Sequence, residues 1–197
     1  MILPPDPAVL ADLVFAAYPD FGLYIWKNRR FFLSVRCGPI GQNGYGGHAH
    51  NDQLSIELQI EGVDWARDPG TGVYTADLDL RDRYRSTAAH CTPQPLPMEQ
   101  GRLNLGPFRL GDQARARCFR ADGDGFHGVH WGFGPPIYRV VSFTETAVIV
   151  RDGLGAEAPS PLPDQETVRV ASAADMARLT PDNGLPFSPG YGRMGGG

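Results

Sequence analysis

Gln53-Leu54-Ser55-Ile56-Glu57-Leu58-Gln59-Ile60 alternates polar and apolar side chains without a break. On a strand successive side chains point to opposite faces. Leu54, Ile56, Leu58 and Ile60 therefore share one face, while Gln53, Ser55, Glu57 and Gln59 share the other. Such a pattern belongs to a strand with one buried side, which is the habit of antiparallel sheets. It predicts a central strand over residues 53–60 whose even-numbered side chains lie in a core.

The neighbouring sequence extends the sheet in both directions. Glu61-Gly62 is a turn, after which residues 63–68 (VDWARD) return antiparallel. Upstream, residues 22–27 (GLYIWK) and 30–38 (RFFLSVRCG) form a hairpin with Asn28-Arg29 at its turn. A glycine-rich stretch, GPIGQNGYGG, joins that hairpin to the central strand. Further strands are expected at residues 101–110, 114–121, 137–145 and 146–154. A loop rich in Asp, Arg and Tyr is expected from Gly70 to Ala89. Residues 7–18 (PAVLADLVFAAY) have apolar side chains at helical spacing after a proline start, and read as a short helix. Residues 157–164 read as a proline-rich loop, residues 167–172 as one more strand, and the glycine-rich end as a frayed tail. Many short strands with little helix, in a chain with 25 Gly and 18 Pro, give an all-β fold. The predicted architecture is an antiparallel two-sheet β-sandwich over residues 20–197, preceded by a helix or linker over residues 1–19.

Charge and cysteine content narrow the function classes. A net charge of −4 gives no ground for nucleic acid or an anionic membrane as partner. Lys27 is the only lysine, and the other basic side chains are arginines. Arginine's planar fork suits carboxylate and sulfate groups, although genome-wide codon preference explains the same bias. Cys37, Cys91 and Cys118 are odd in number and lack metal-ligand spacing, so they read as small buried side chains. No segment has the apolar length of a membrane span. The first residues lack the basic and small-residue features of a signal peptide.

Three segments carry residues with chemical potential. In Gly46-Gly47-His48-Ala49-His50-Asn51-Asp52, side chains two apart would share one face if the strand runs backwards. Two imidazoles and a carboxylate would then gather at the mouth of the core. Asp68-Pro69-Gly70-Thr71 reads equally well as a turn. His90, in Arg85-Ser86-Thr87-Ala88-Ala89-His90-Cys91-Thr92, reads equally well as a hydrogen-bonded core histidine. Each segment taken alone has an ordinary structural explanation.

Taken together, GGHAHNDQLSIEL (46–58), VDWARDPGTGVY (63–74) and RDRYRSTAAHCT (81–92) resemble, in order and spacing, the β-sandwich domain of the heparinase II/III-like polysaccharide lyases. The hairpin at residues 19–41 and SPGYG (188–192) agree with the same family. The resemblance implies an α/α toroid packed on the sandwich, with a substrate cleft between them. It also implies β-elimination of uronate-containing acidic polysaccharide. Carried over by motif, His48 matches the cleft histidine, and His50, Asp68 and His90 match the ligands of a structural divalent metal, usually zinc. Arg85 and Tyr84 are further candidates for substrate contact.

Cys91 stands where the family usually has Asn. The toroid and its proton-transferring tyrosine have no counterpart here beyond residues 1–18, and Tyr45, Tyr74 and Tyr84 do not match that tyrosine. The expected partners are therefore an acidic polysaccharide and the toroid of a parent chain, exported to the periplasm or outside the cell if it follows its family. The alternatives are a non-catalytic carbohydrate-binding or scaffolding sandwich, and a metal-dependent hydrolase. One physical difficulty accompanies the ligand set. A tight turn at Glu61-Gly62 sets Asp68 opposite residue 55, about 17 Å along a strand from His50.

Overall fold

A computed structural model describes residues 1–2, 4, 6–95, 97–155 and 184–188. The expected loop at 157–164, strand at 167–172 and glycine-rich tail lie outside the described residues, as does most of SPGYG.

The first sheet has five antiparallel strands in chain order: β1 (Val14–Tyr18), β2 (Leu23–Lys27), β3 (Phe31–Arg36), β4 (Ile56–Ile60) and β5 (Val63–Ala66). Register fixes its inner face. Tyr24 pairs with Val35, Trp26 with Leu33, Leu33 with Leu58, and Phe31 with Ile60. All of these are buried, as are Leu54 and Ile56. The alternation in residues 53–60 is thus realised as expected, although the regular strand begins only at Ile56. Glu61 (φ 54°) and Gly62 (φ 76°) make the turn to β5, both left-handed, as a two-residue hairpin connection requires.

A second sheet comprises β6 (Arg117–Asp122), β7 (Gly125–His130), β8 (Ile137–Phe143) and β9 (Val148–Leu154), again antiparallel in chain order. Phe126, Ile137, Val141 and Val148 join Trp26, Leu33 and Leu58 in one core. Trp26 lies 5.5 Å from Phe143 between ring centroids, and its indole nitrogen donates to the Asp122 carbonyl at 2.7 Å. The polar end of the ring is thereby satisfied while its apolar body fills the space between sheets. Arg139 of β8 is buried and clamps the layers together. Its Nη1 donates to the carbonyls of Leu54 and Cys91 at 2.6 and 2.7 Å, and its other edge makes a bidentate pair with Asp152.

Four expectations are corrected. The helix over residues 7–18 shrinks to a single 3-10 turn, Pro7–Leu10, and its second half is β1. Asp12 has φ 54°, which ends the turn and frees Val14–Tyr18 to pair with β2. Residues 101–110 carry no strand. Within the expected loop at 70–89 lies α1 (Leu78–Arg85), N-capped by Asp77, whose side chain accepts from Leu80 N at 2.9 Å. Finally, β7 was not anticipated, because Gly125-Phe126-His127-Gly128 breaks any hydropathy alternation. Among the described residues no helix is long and apolar enough to cross a membrane.

Candidate functional site

The chain before β4 does not continue as a strand. Leu54 is buried with φ 65°, and Ser55 N donates to the Asp52 carbonyl at 2.9 Å, so residues 48–55 curl back over the sheet. Meanwhile Ile56 N donates to the Cys91 carbonyl at 3.2 Å, bringing the segment after α1 beside the start of β4. The register shift between Leu58 and Gln59 carries Asp68 no nearer to His50. The curl is what overcomes the separation expected along a straight strand.

His50, Asp68 and His90 consequently converge. His90 Nδ1 lies 2.7 Å from Asp68 Oδ2, and the His50 and His90 ring centroids are 5.2 Å apart. Asp68 also accepts from Gly70 N at 2.7 Å, which shapes the Asp-Pro-Gly turn around it. Burial pushes the His50 imidazole down to about 3, with His90 adding repulsion. Burial also opposes charge on His90, but the Asp68 carboxylate outweighs it and raises His90 above the ordinary imidazole value. Burial works against charge on Asp68 too, yet its bond to His90 leaves it below the usual carboxylate range.

Two arginines of α1 hold the histidine segment from beneath. Arg81 donates from Nη2 to the Gly47 carbonyl at 3.0 Å and from Nε to Pro107 at 2.6 Å. Arg85 donates to the carbonyls of Ala49 and Arg109 at 3.2 and 3.0 Å. The carbonyls on either side of His48 are therefore both anchored. This corrects the expected roles of Arg85 and Tyr84. Both are fully buried, and the Tyr84 hydroxyl donates to the Pro186 carbonyl at 2.6 Å, so neither side chain is available to substrate. Sequence reading missed Arg81, and Glu99, whose carboxylate accepts from Asn51 Nδ2, Thr87 N and Thr87 Oγ1. The i, i+3, i+4 spacing of Arg81, Tyr84 and Arg85 was the available signal for the former.

His48 is exposed, with its ring edge-on to Tyr74 at 5.5 Å. It stands between two depressions. One, a cleft of about 530 Å³, lies over the outer face of the first sheet and is lined by Arg36, His50, Asp52, Glu57 and Asp68 among others. Burial raises the carboxyl groups of Asp52 and Glu57, with Asp68 adding repulsion to both. The other depression, of similar size, is lined by Gln42, Asn43, Tyr45, Gly47, His48 and Phe108.

The donor set suits a divalent metal. Two imidazoles and a carboxylate are zinc-type ligands, further carboxylates surround them, and His90 Nε2 is buried with no hydrogen-bond partner. The arrangement is not ready-made. Among the described residues no group of three or more His, Cys, Asp or Glu side chains is spaced to hold an ion, and Asp68 and His90 are bonded to each other. Burial pushes the Cys91 thiol up to about 12, which favours the protonated form in the metal-free chain.

Comparison with known proteins adds a family and a fold. A family model described as "Heparinase II/III-like, C-terminal" matches residues 12–182. Among solved structures, heparan sulfate lyase HepC from Pedobacter heparinus shares 21% identity at a TM-score of 0.54, over 75% of this chain and 23% of that one. A heparinase III gene product shares 19% identity at a TM-score of 0.53, over 72% of this chain and 22% of that one. The chain thus spans under a quarter of the length of either structure. No curated protein matches it.

Proposed function

The chain belongs to the heparinase II/III-like C-terminal family, and on that premise we propose that it is the sandwich part of a lyase that cleaves uronate-containing acidic polysaccharide by β-elimination. The observation that carries this reading is the meeting of His50, Asp68 and His90 beside an exposed His48, from segments far apart in sequence.

β-Elimination removes a proton α to the uronate carboxylate and builds an enolate-like charge, which needs hydrogen-bond donors or a nearby cation. In this reading His48 is the side chain that meets substrate, with an imidazole able to serve as hydrogen-bond donor or base. Its backbone is pinned through Gly47 and Ala49, so the ring has a defined position before substrate arrives. His50, Asp68 and His90 would hold one divalent metal, zinc by ligand type, that cross-links the turn at Asp68 and the segment at His90 to the histidine loop. Apart from the metal, Asp68 and His90 already tie the first two of these segments together. The proton-transferring tyrosine and most of the substrate surface belong in this reading to a toroid elsewhere in the parent chain.

The test is the full reading frame that encodes this chain, assayed on heparan, chondroitin, hyaluronan and alginate for the ultraviolet absorbance of unsaturated uronate. The reading requires turnover of at least one polymer, and a fall of at least about a hundredfold in His48→Ala, the scale of a lost general acid or base. No unsaturated product from any of the four, or full activity in His48→Ala, would overturn it.

A further inference from the structure

We propose that the groove beside His48, walled by Tyr45 and Phe108, is a subsite for one acidic pyranose ring of the polysaccharide. The inference rests on the lyase reading above and assigns the side of His48 along which the anionic chain runs.

The groove is built, and its residues are held apart from the core. Its two walls are the turn at residues 41–47 and the segment at residues 106–110. They are tied by Leu110 N donating to the Tyr45 carbonyl at 2.8 Å, and Gly47 N donates to Gln42 Oε1 at 2.6 Å. A side chain at residue 47 would meet Gln42 Oε1 at 2.6 Å and the Phe108 carbonyl at 3.0 Å, so only glycine lets the walls close to this distance. Gln42 and Asn43 are left-handed non-glycine residues at φ 52° and 53°, a cost the surrounding turn sustains. Tyr45 and Phe108 nevertheless remain 61% and 47% exposed. Two large aromatic faces at the rim of a polar depression are costly in water and suited to the apolar face of a sugar ring.

Charge selects the kind of sugar. Among the described residues no Asp or Glu lines this groove, whereas the cleft on the other side of His48 carries Asp52, Glu57 and Asp68. Two guanidinium groups attend the aromatic walls. Arg109 lies 5.7 Å from the Tyr45 ring centroid and is exposed. Arg81 sits 4.9 and 5.0 Å from the Tyr74 and Phe108 ring centroids, with its Nη1 buried and unpartnered. On a chain of net charge −4, a polyanion needs a local region of opposite sign, and the exposed guanidinium of Arg109 beside the Tyr45 wall supplies positive charge next to this groove. Gln42 and Asn43 add amide groups to the lining.

The experiment uses the 197-residue chain with tetrasaccharides of heparan, chondroitin, hyaluronan and alginate, and cellotetraose as the uncharged probe, followed by NMR titration. At least one acidic probe should bind more tightly than cellotetraose. Tyr45→Ala and Phe108→Ala should each weaken that probe about tenfold, with unchanged thermal midpoints because both side chains are exposed. Arg109→Gln should weaken the acidic probe and leave cellotetraose unaffected. Equal affinity of wild type and both aromatic variants for the acidic probe would overturn the subsite while leaving the lyase reading intact. Preference for cellotetraose, lost in the aromatic variants, would overturn the acidic assignment and count against the lyase reading as well. Binding of no probe would overturn the subsite, and the full-frame activity assay would decide the lyase reading separately.

Discussion

Asp68 Oδ2 and His90 Nδ1 meet at 2.7 Å although 22 residues separate them, and His90 Nε2 on the far edge of the same ring is buried without a partner. The carboxylate thus fixes the orientation of the imidazole in the metal-free chain. Asp68→Asn keeps the shape and removes the charge. In the metal-free protein it should shift the His90 ring resonances and lower the thermal midpoint more than Asp64→Asn, an exposed carboxylate of β5. An unchanged His90 spectrum would mean that the pair does not form in solution.

Arg139 gives the largest expected effect on stability. Its guanidinium satisfies two buried carbonyls from the first layer and the Asp152 carboxylate from the second. Arg139→Met leaves the Leu54 carbonyl without its donor, Asp152 without its partner and the Cys91 carbonyl with Ile56 N alone, at a cost of about 3–5 kcal/mol, which lowers the thermal midpoint by roughly 10 °C. Calorimetry on the variant checks this. A change within a degree or two would show that the carbonyls find other partners.

Acid should weaken the fold through His130. Burial, helped by Arg139, depresses its pKa from 6.5 to about 4, and its Nδ1 accepts from Gly132 N at 3.1 Å, which requires the neutral ring. Between those two values the unfolded chain carries a proton there that the native chain does not. Stability is therefore full above pH 6.5 and falls as the pH drops toward 4. The loss from this ring amounts to at most about 3 kcal/mol. His130→Gln removes it, so between pH 7 and pH 4.5 the wild type should lose more stability than the variant. Parallel denaturation curves across that range would contradict the assignment.

The sequence told more about the first layer than about what covers it. Strict alternation at Ile56, Leu58 and Ile60 is a direct image of a one-sided strand, and Glu61-Gly62 a direct image of its turn. Residues 13–17 mislead because Leu13, Val14 and Ala17 also fit a helical stripe, and only the left-handed Asp12 and pairing with β2 decide for strand. α1 escapes hydropathy because its buried face is Arg81, Tyr84 and Arg85, whose polar ends donate to backbone carbonyls that no periodicity reveals. The site residues were legible as motifs, and their convergence was implied by the family resemblance but not by strand geometry. A straight backward extension of β4 keeps His50 away from Asp68, whereas the left-handed Leu54 folds it back.

The 197-residue chain by itself should release negligible unsaturated uronate from heparan, chondroitin, hyaluronan or alginate. Tyr84 is sealed in the core, and Tyr45 and Tyr74 flank His48 through their rings. A substantial rate from purified chain would assign proton transfer to Tyr45 or Tyr74 and contradict the division of labour proposed here.

His50, Asp68 and His90 are expected to take one divalent metal. The direct measurement is metal content by mass spectrometry of the wild-type chain and of His50→Ala, each loaded with zinc and then desalted. The wild-type chain should retain about one zinc, the stoichiometry of a single structural site, and His50→Ala little. Equal zinc in the two proteins, or none in the wild type, would contradict that assignment.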